Sequence, residues 1–252
     1  MIDIVIFGTG NVATHLFQAL NSAETTRVVQ VYNHHSDSLS FFKDKTEVTS
    51  SLTTLKKAEV YILALKDDAV RQVAQQLQDR EVLLVHTAGS IPLLSAAKRN
   101  GVFYPLQTFS KKEPLDFSSI PLCIEATFPE DLKLLKQIGR GISKKVYSVS
   151  SSQRRSLHLA AVFACNFSNA LYDIAESICE ENALPFEILH PLIKETARKI
   201  EHNSPREVQT GPAIRFDQKV IEAQLQQLRT PEQKEIYTLF TELIQKKHER
   251  EL

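Results

Sequence analysis

The chain has 252 residues, 42% hydrophobic and 24% charged, which suits one large or two smaller globular domains with ample core. Its 30 Lys and Arg balance 30 Asp and Glu, which argues against broad nucleic-acid binding, since that needs a basic surface. No apolar run approaches the ~20 residues of a membrane span, and the first residues lack the basic region and cleavage site of a signal peptide. The odd set Cys123, Cys165 and Cys179 has no CxxC spacing and reads as reduced thiols in a cytoplasmic protein.

Residues Ile2 to Phe7 form an apolar run of strand character, followed by Gly8-x-Gly10-x-x-Ala13. With only 7 Gly in the chain, two within three positions at a strand end carry information. Gly8 permits a tight turn, Gly10 lets the backbone approach a pyrophosphate, and Ala13 lets the next helix pack closely. The helix starting near Asn11 then points its free N–H groups and positive dipole end at the phosphates. Gly8, Thr9, Gly10, Asn11 and Val12 are therefore the expected floor of a dinucleotide site.

Further strand-like runs are Arg27–Tyr32, Val60–Leu65, Val82–Val85, Val102–Leu106, Leu122–Ala126 and Lys145–Val149. Helical stretches alternate with them: Asn11–Ser22, about Ser38–Lys43, Leu52–Ala58, Asp68–Leu77 and Pro129–Gly139. This alternation implies a mainly parallel sheet covered on both faces. After about residue 150 no strand is evident. One long helix is expected over Gln153–Glu181, then helices over Pro185–Ile200, Asp217–Leu228 and Pro231–Lys247. Thr230, Pro231 and Gln233 have the spacing of a capping box. The expected architecture is an α/β Rossmann-like N-terminal domain (1–150), followed by an all-α C-terminal domain (151–252) for substrate binding and dimerisation.

The second strand ends in Asn33-His34-His35-Ser36. An NAD-specific site usually places Asp or Glu there, for the ribose 2′-OH. These four residues all donate hydrogen bonds, and a protonated His can face a 2′-phosphate, so NADP is expected over NAD; the two His read equally as solvated loop residues. Leu65 and Lys66 end another strand, along the cofactor's nicotinamide half, and Asp68 is expected to cap the following helix. His86-Thr87-Ala88-Gly89-Ser90 follows a strand end, where ligands of open α/β sheets bind. His86 can move protons near neutral pH or be held by local backbone. Tyr104-Pro105-Leu106-Gln107-Thr108-Phe109 closes the next strand, with Pro105 keeping Tyr104 extended. In the helical half, His158, Asn166 and Asn169 form a polar line, facing either a ligand or a neighbouring helix. Gly211–Asp217 (GPAIRFD) makes a turn, and its Arg215 suits a carboxylate.

These segments together resemble the Rossmann-like proteins with a DUF2520 C-terminal domain. The matching stretches are Gly8–Ala13, His86–Ser90, Tyr104–Phe109, Ala160–Asn169 and Gly211–Asp217, and the resemblance runs over essentially the whole chain. It implies kinship with NADP oxidoreductases and with pyrroline-5-carboxylate and prephenate dehydrogenase relatives. It further implies a C-terminal domain like that of 6-phosphogluconate dehydrogenase and a homodimer. Two residues depart from those relatives. Related hydroxyacid dehydrogenases place Lys four residues before Asn on the long helix; here that position is Val162, and no Lys occurs between Gln153 and Glu181. Prephenate-dehydrogenase-like enzymes have His before Pro at the sixth strand; here it is Tyr104.

The expected function is an NADP-dependent oxidoreductase acting on a small polar substrate in a cleft between the domains. His86 is the expected acid/base, Asn166 orients substrate, and Arg215 or Tyr104 binds a polar substrate group. No metal, nucleic acid or membrane is expected to take part. The other reading is a non-catalytic module that binds NADP or another nucleotide as a sensor or interaction partner.

Overall fold

The computed structural model describes residues 1–110, 113 and 115–249. Eight strands form one sheet: β1 (Ile2–Phe7), β2 (Thr26–Tyr32), β3 (Glu47–Thr49), β4 (Val60–Leu63), β5 (Leu83–His86), β6 (Asn100–Pro105), β7 (Leu122–Ala126) and β8 (Val146–Ser148). Their order is β3-β2-β1-β4-β5-β6-β7-β8. Every neighbouring pair is parallel except β6–β7, which is antiparallel.

The central strands are continuous apolar runs because helices cover them on both faces; all four residues of β4 are buried. On one face Ile4 and Ile6 pack with Leu16 and Phe17 of α1 (Asn11–Ser22) and with Leu135 and Ile138 of α3 (Pro129–Ile142). On the other, Val5, Phe7, Tyr61 and Leu63 pack with Val70 and Ala74 of α2 (Asp67–Gln76). This is the doubly wound α/β arrangement expected from the alternating pattern.

Two local expectations change. Glu47–Thr49 adds edge strand β3 beside β2. The helix expected over Leu52–Ala58 is a single 3₁₀ turn, Leu52–Thr54. Its polar groups go elsewhere: the Ser51 side chain accepts from Thr53 N, and Lys56 N donates to Gln30 Oε1 at 2.9 Å. With those donors engaged outside an α-helical ladder, no helix propagates.

The chain divides into two compact units, residues 1–166 and 167–252. The helix expected to run unbroken from Gln153 is instead α4 (Ser151–Ala161), a π-helical turn (Val162–Phe167) and α5 (Ser168–Glu181). Such turns recur at functional sites. The second unit continues with α6 (His190–Lys199), α7 (Gln218–Gln227) and α8 (Pro231–His248), and has no strand among the described residues. Thr230 caps α8 in the expected box with Gln233, and Asp217 caps α7 by accepting from Val220 N. No helix among the described residues is long and apolar enough to cross a membrane.

Candidate functional site

The turn after β1 is built as its glycines require. Gly8 has φ +112°, and a Cβ there would stand 2.2 Å from the Ala64 carbonyl oxygen. Both the left-handed backbone and the contact with β4's end demand glycine. Gly10 is the N-cap of α1 with no side-chain cap, and a Cβ on it would meet nothing within 4 Å. The helix thus offers uncapped N–H groups beside open space, the arrangement an anionic pyrophosphate needs. Ala13 is fully buried against the sheet. These residues fit a dinucleotide.

At the end of β2, both polar atoms of the Asn33 amide have partners. Its Nδ2 donates to Thr9 Oγ1 at 2.7 Å, and its Oδ1 accepts from His35 N at 3.0 Å. Asn33 therefore ties the phosphate turn to the strand end. His34, His35 and Ser36 are exposed, and the two imidazole rings are in tilted contact, at 44° with centroids 3.8 Å apart. Leu65 is half-buried and Lys66 exposed at the β4–α2 turn. Lys66, and not Asp68, is the N-cap residue of α2, without a side-chain bond; Asp68 lies within the first turn. The neighbouring Asp67 carboxylate accepts from Ser90 Oγ, joining this turn to the loop after β5.

His86 is fully buried at the end of β5. Its Nε2 faces the Pro92 carbonyl oxygen at 3.2 Å, and its Nδ1 accepts from Ala88 N at 3.2 Å. With Nδ1 an acceptor, Nε2 is the donor to Pro92. Burial, aided by the Arg154 charge, pushes its pKa down to about 4. The ring is a neutral brace across the 86–92 turn, the local-backbone alternative for this residue.

Tyr104 and Asn166 do come together. Both line a cavity of about 680 Å³, with Gln107, Phe109, Leu157 and His158 also in its wall. The Tyr104 hydroxyl and His158 Nδ1 are 3.0 Å apart. Burial raises the Tyr104 pKa, the nearby Cys123 adds to it, and Arg154 partly offsets it, so the phenol is held as a protonated donor. The pair sits on Gly89, where a Cβ would approach His158 Nδ1 to 2.8 Å and Tyr104 Cζ to 3.0 Å. A side chain at 89 would force the two rings away. The cavity adjoins the turn after β1 and helix α1 through its loop: Asn11 Nδ2 donates to the Phe109 carbonyl at 2.7 Å, and His15 Nε2 meets the Ser110 carbonyl at 2.8 Å.

The wall carrying His158 is anchored from below. Arg154, fully buried and one turn before His158 on α4, bonds Glu125 of β7 at 2.5 Å and the Ile91 carbonyl. Ser151 adds two bonds to the same carboxylate, at 2.9 and 2.7 Å. Burial alone would raise the Glu125 pKa, but the Arg154 and Ser151 bonds outweigh it and hold the carboxyl below its ordinary range.

Arg215 lies in the second unit, on the turn before α7 where Gly211 and Phe216 have φ +110° and +52°. Asn169 belongs to the same unit, beyond the π-helical turn. His158 gains importance it lacked in the sequence. It was visible as a polar residue on the helix, but its partner Tyr104 is 54 residues away, a pairing that periodicity on one helix cannot reveal.

The fold and this edge of linked strand-end loops define the oxidoreductase-like class of Rossmann proteins with a helical C-terminal unit. Residues 3–89 match the family described as NADP oxidoreductase coenzyme F420-dependent, and residues 120–244 match the domain of unknown function DUF2520. A candidate NADP oxidoreductase from Bacteroides fragilis is 43% identical over 97% of this chain and 98% of its own, with TM-score 0.88. The chain therefore belongs to the NADP oxidoreductase-like family with a DUF2520 C-terminal domain. A Thermotoga maritima protein of 22% identity shares the fold at TM-score 0.73, over 98% of this chain and 99% of its own. A pyrroline-5-carboxylate reductase from Coxiella burnetii, 18% identical, shares it at 0.60, over 99% and 98%. No curated protein sequence matches the chain.

Proposed function

We propose that the protein is an NADP-dependent reductase of a small polar carbonyl or imine compound, with its chemistry in the cavity walled by Tyr104, His158 and Asn166. The Tyr104–His158 hydrogen bond of 3.0 Å carries the reading. It sets a protonated phenol and an exposed imidazole at strand ends linked by Asn11 to the cofactor turn.

Gly8, Gly10 and the first turn of α1 hold the pyrophosphate, Asn33–Ser36 the adenosine ribose, and Leu65 and Lys66 flank the nicotinamide half. The bound reduced nicotinamide supplies a hydride. Tyr104 Oη gives a proton to the substrate oxygen or nitrogen, and His158 Nδ1 returns one to Tyr104 from solvent. Asn166 orients the polar group of the substrate. His86 keeps the loop after β5 in place, and Arg215, in the second unit, carries the guanidinium fork that suits a carboxylate.

A homodimer through the helical unit is part of the same reading. Its support is the exposure of Leu184 (53%), Ile188 (64%), Leu192 (63%) and Leu239 (64%), apolar side chains that a monomer leaves in water. Light scattering on the purified chain gives twice the monomer mass if this is right.

The sensor reading is favoured by the absence of Lys between Gln153 and Glu181 and by the burial of His86. One experiment separates the two. Protein, NADPH and a panel of imines, ketones and 2-oxo acids are mixed, and NADPH absorbance is followed. Turnover that falls on the order of 100-fold in Tyr104→Phe, with NADPH affinity unchanged, supports the reductase. NADPH binding without oxidation across the panel supports the sensor.

A further inference from the structure

We propose that His34 and His35 form a proton-dependent clamp for the ribose 2′-phosphate, so that NADP, unlike NAD, binds with uptake of protons and loses affinity as pH rises. The inference rests on the NADP reading above and deepens it.

Four observations support it. The strand end that reads the adenosine ribose carries no acid to bind a 2′-OH. The first polar side chain there, Asn33, already bonds the scaffold through its amide nitrogen on Thr9 and its oxygen on His35 N, leaving one amide N–H over. No Arg or Lys occurs between Arg27 and Lys43, so a cation at this edge has to come from imidazole. The two imidazoles are exposed and in contact, tilted by 44° with centroids 3.8 Å apart.

The surrounding elements carry few charged groups. The phosphate turn, residues 8–13, has none. On the 3₁₀ helix Ser36–Phe42 the one carboxylate is Asp37, in its first turn. Lys45 beyond it is bonded to the Phe41 carbonyl and lies over the Phe41 ring. On β3, Glu47 is paired with Lys56. Imidazole changes charge between about pH 5 and 8, and the phosphate monoester loses its second proton near pH 6. A protonated pair facing the dianion forms only by taking protons from solvent. Each proton taken up weakens binding about tenfold per pH unit once both free groups are deprotonated.

Binding calorimetry with NADP, NAD and adenosine 2′,5′-bisphosphate at about pH 6, 7 and 8.5 tests this without turnover. The expected result is an NADP and bisphosphate Kd that rises at least tenfold across the range, while the NAD Kd stays level. Repeating one pH in buffers of different ionisation enthalpy then gives proton uptake on NADP binding. The His34→Gln/His35→Arg double variant, with a permanent cation and no imidazole at this place, is expected to lose the decline of NADP affinity with pH. The His34→Gln/His35→Gln double variant is expected to bring NADP down to NAD affinity. NADP binding that is tighter than NAD but flat with pH in the wild-type protein overturns the clamp and leaves the NADP reading standing. NADP no tighter than NAD, or no binding of either, overturns both.

Discussion

Asn11 and Phe109 lie 98 residues apart, and the Asn11 amide donates to the Phe109 carbonyl at 2.7 Å. One end of this bond is the first turn of the helix proposed to face a cofactor phosphate. The other is the loop that walls the cavity holding Tyr104 and His158. A neutral bond of this kind contributes about 1 kcal/mol. Asn11→Ala is expected to cost about that much in denaturant unfolding, and to raise amide exchange over residues 106–110 more than elsewhere. Equal exchange in that loop in both proteins would remove Asn11 from the role.

Gly8 and Gly10 should respond in opposite ways to a methyl group. In Gly8→Ala the Cβ meets Ala64 oxygen at 2.2 Å in a left-handed backbone, so a loss of stability of 2 kcal/mol or more is expected, on the order of other strained sites. Gly10→Ala has space for its Cβ, and its stability is expected to stay within about 0.5 kcal/mol. Its dinucleotide affinity is expected to fall at least tenfold, because that space is the proposed phosphate cradle. Thermal melts and NADP titration read the two effects separately.

His86 predicts a pH dependence of stability. Its folded pKa of about 4 lies below the ordinary 6.5, so the unfolded chain takes up the proton first as pH falls. The stabilisation is whole above about pH 6.5 and declines as pH drops toward 4, by up to about 3 kcal/mol. Urea midpoints measured across that range should fall for the wild-type chain, and fall less for His86→Gln. Parallel slopes for the two proteins would show that another group is responsible.

Arg154 and Glu125 form a buried pair, and breaking it from one side should cost far more than removing it. Arg154→Met leaves the carboxylate without its partner and is expected to destabilise by about 3 kcal/mol, whereas Arg154→Met/Glu125→Leu recovers much of that loss. Unfolding curves of both variants and of Glu125→Leu complete the cycle. A double variant as unstable as Arg154→Met would mean that packing around Arg154, and not charge, sets the cost.

The parts of this molecule legible in the sequence are those specified locally. Gly8, Gly10 and Ala13 announce the turn because sterics demand those residues there, and Thr230 and Asp217 announce helix starts because capping is a three-residue affair. What was hidden depends on residues brought from afar. The burial of His86 needs the Pro92 carbonyl folded over it, and the weight of His158 needs Tyr104 from another strand. Edge strand β3 is three residues long and too short for alternation to register. The π-helical turn at Val162–Phe167 interrupts a helix whose apolar spacing reads as continuous.

The reversal of one strand has a directional consequence. Because β7 runs against β6, Leu122 lies beside Pro105 at the ligand edge and Ala126 beside Gly101, farther down. β8 follows β7 downward, so α4 begins low, with Ser151 and Arg154 on Glu125. From there it ascends toward the level of Tyr104, and the four residues from Arg154 to His158 lift the chain about 6 Å. Had β7 continued the parallel series, the next helix would have started at the ligand edge and descended away from it. The antiparallel step turns an ordinary return helix into a riser that brings an imidazole up to the phenol.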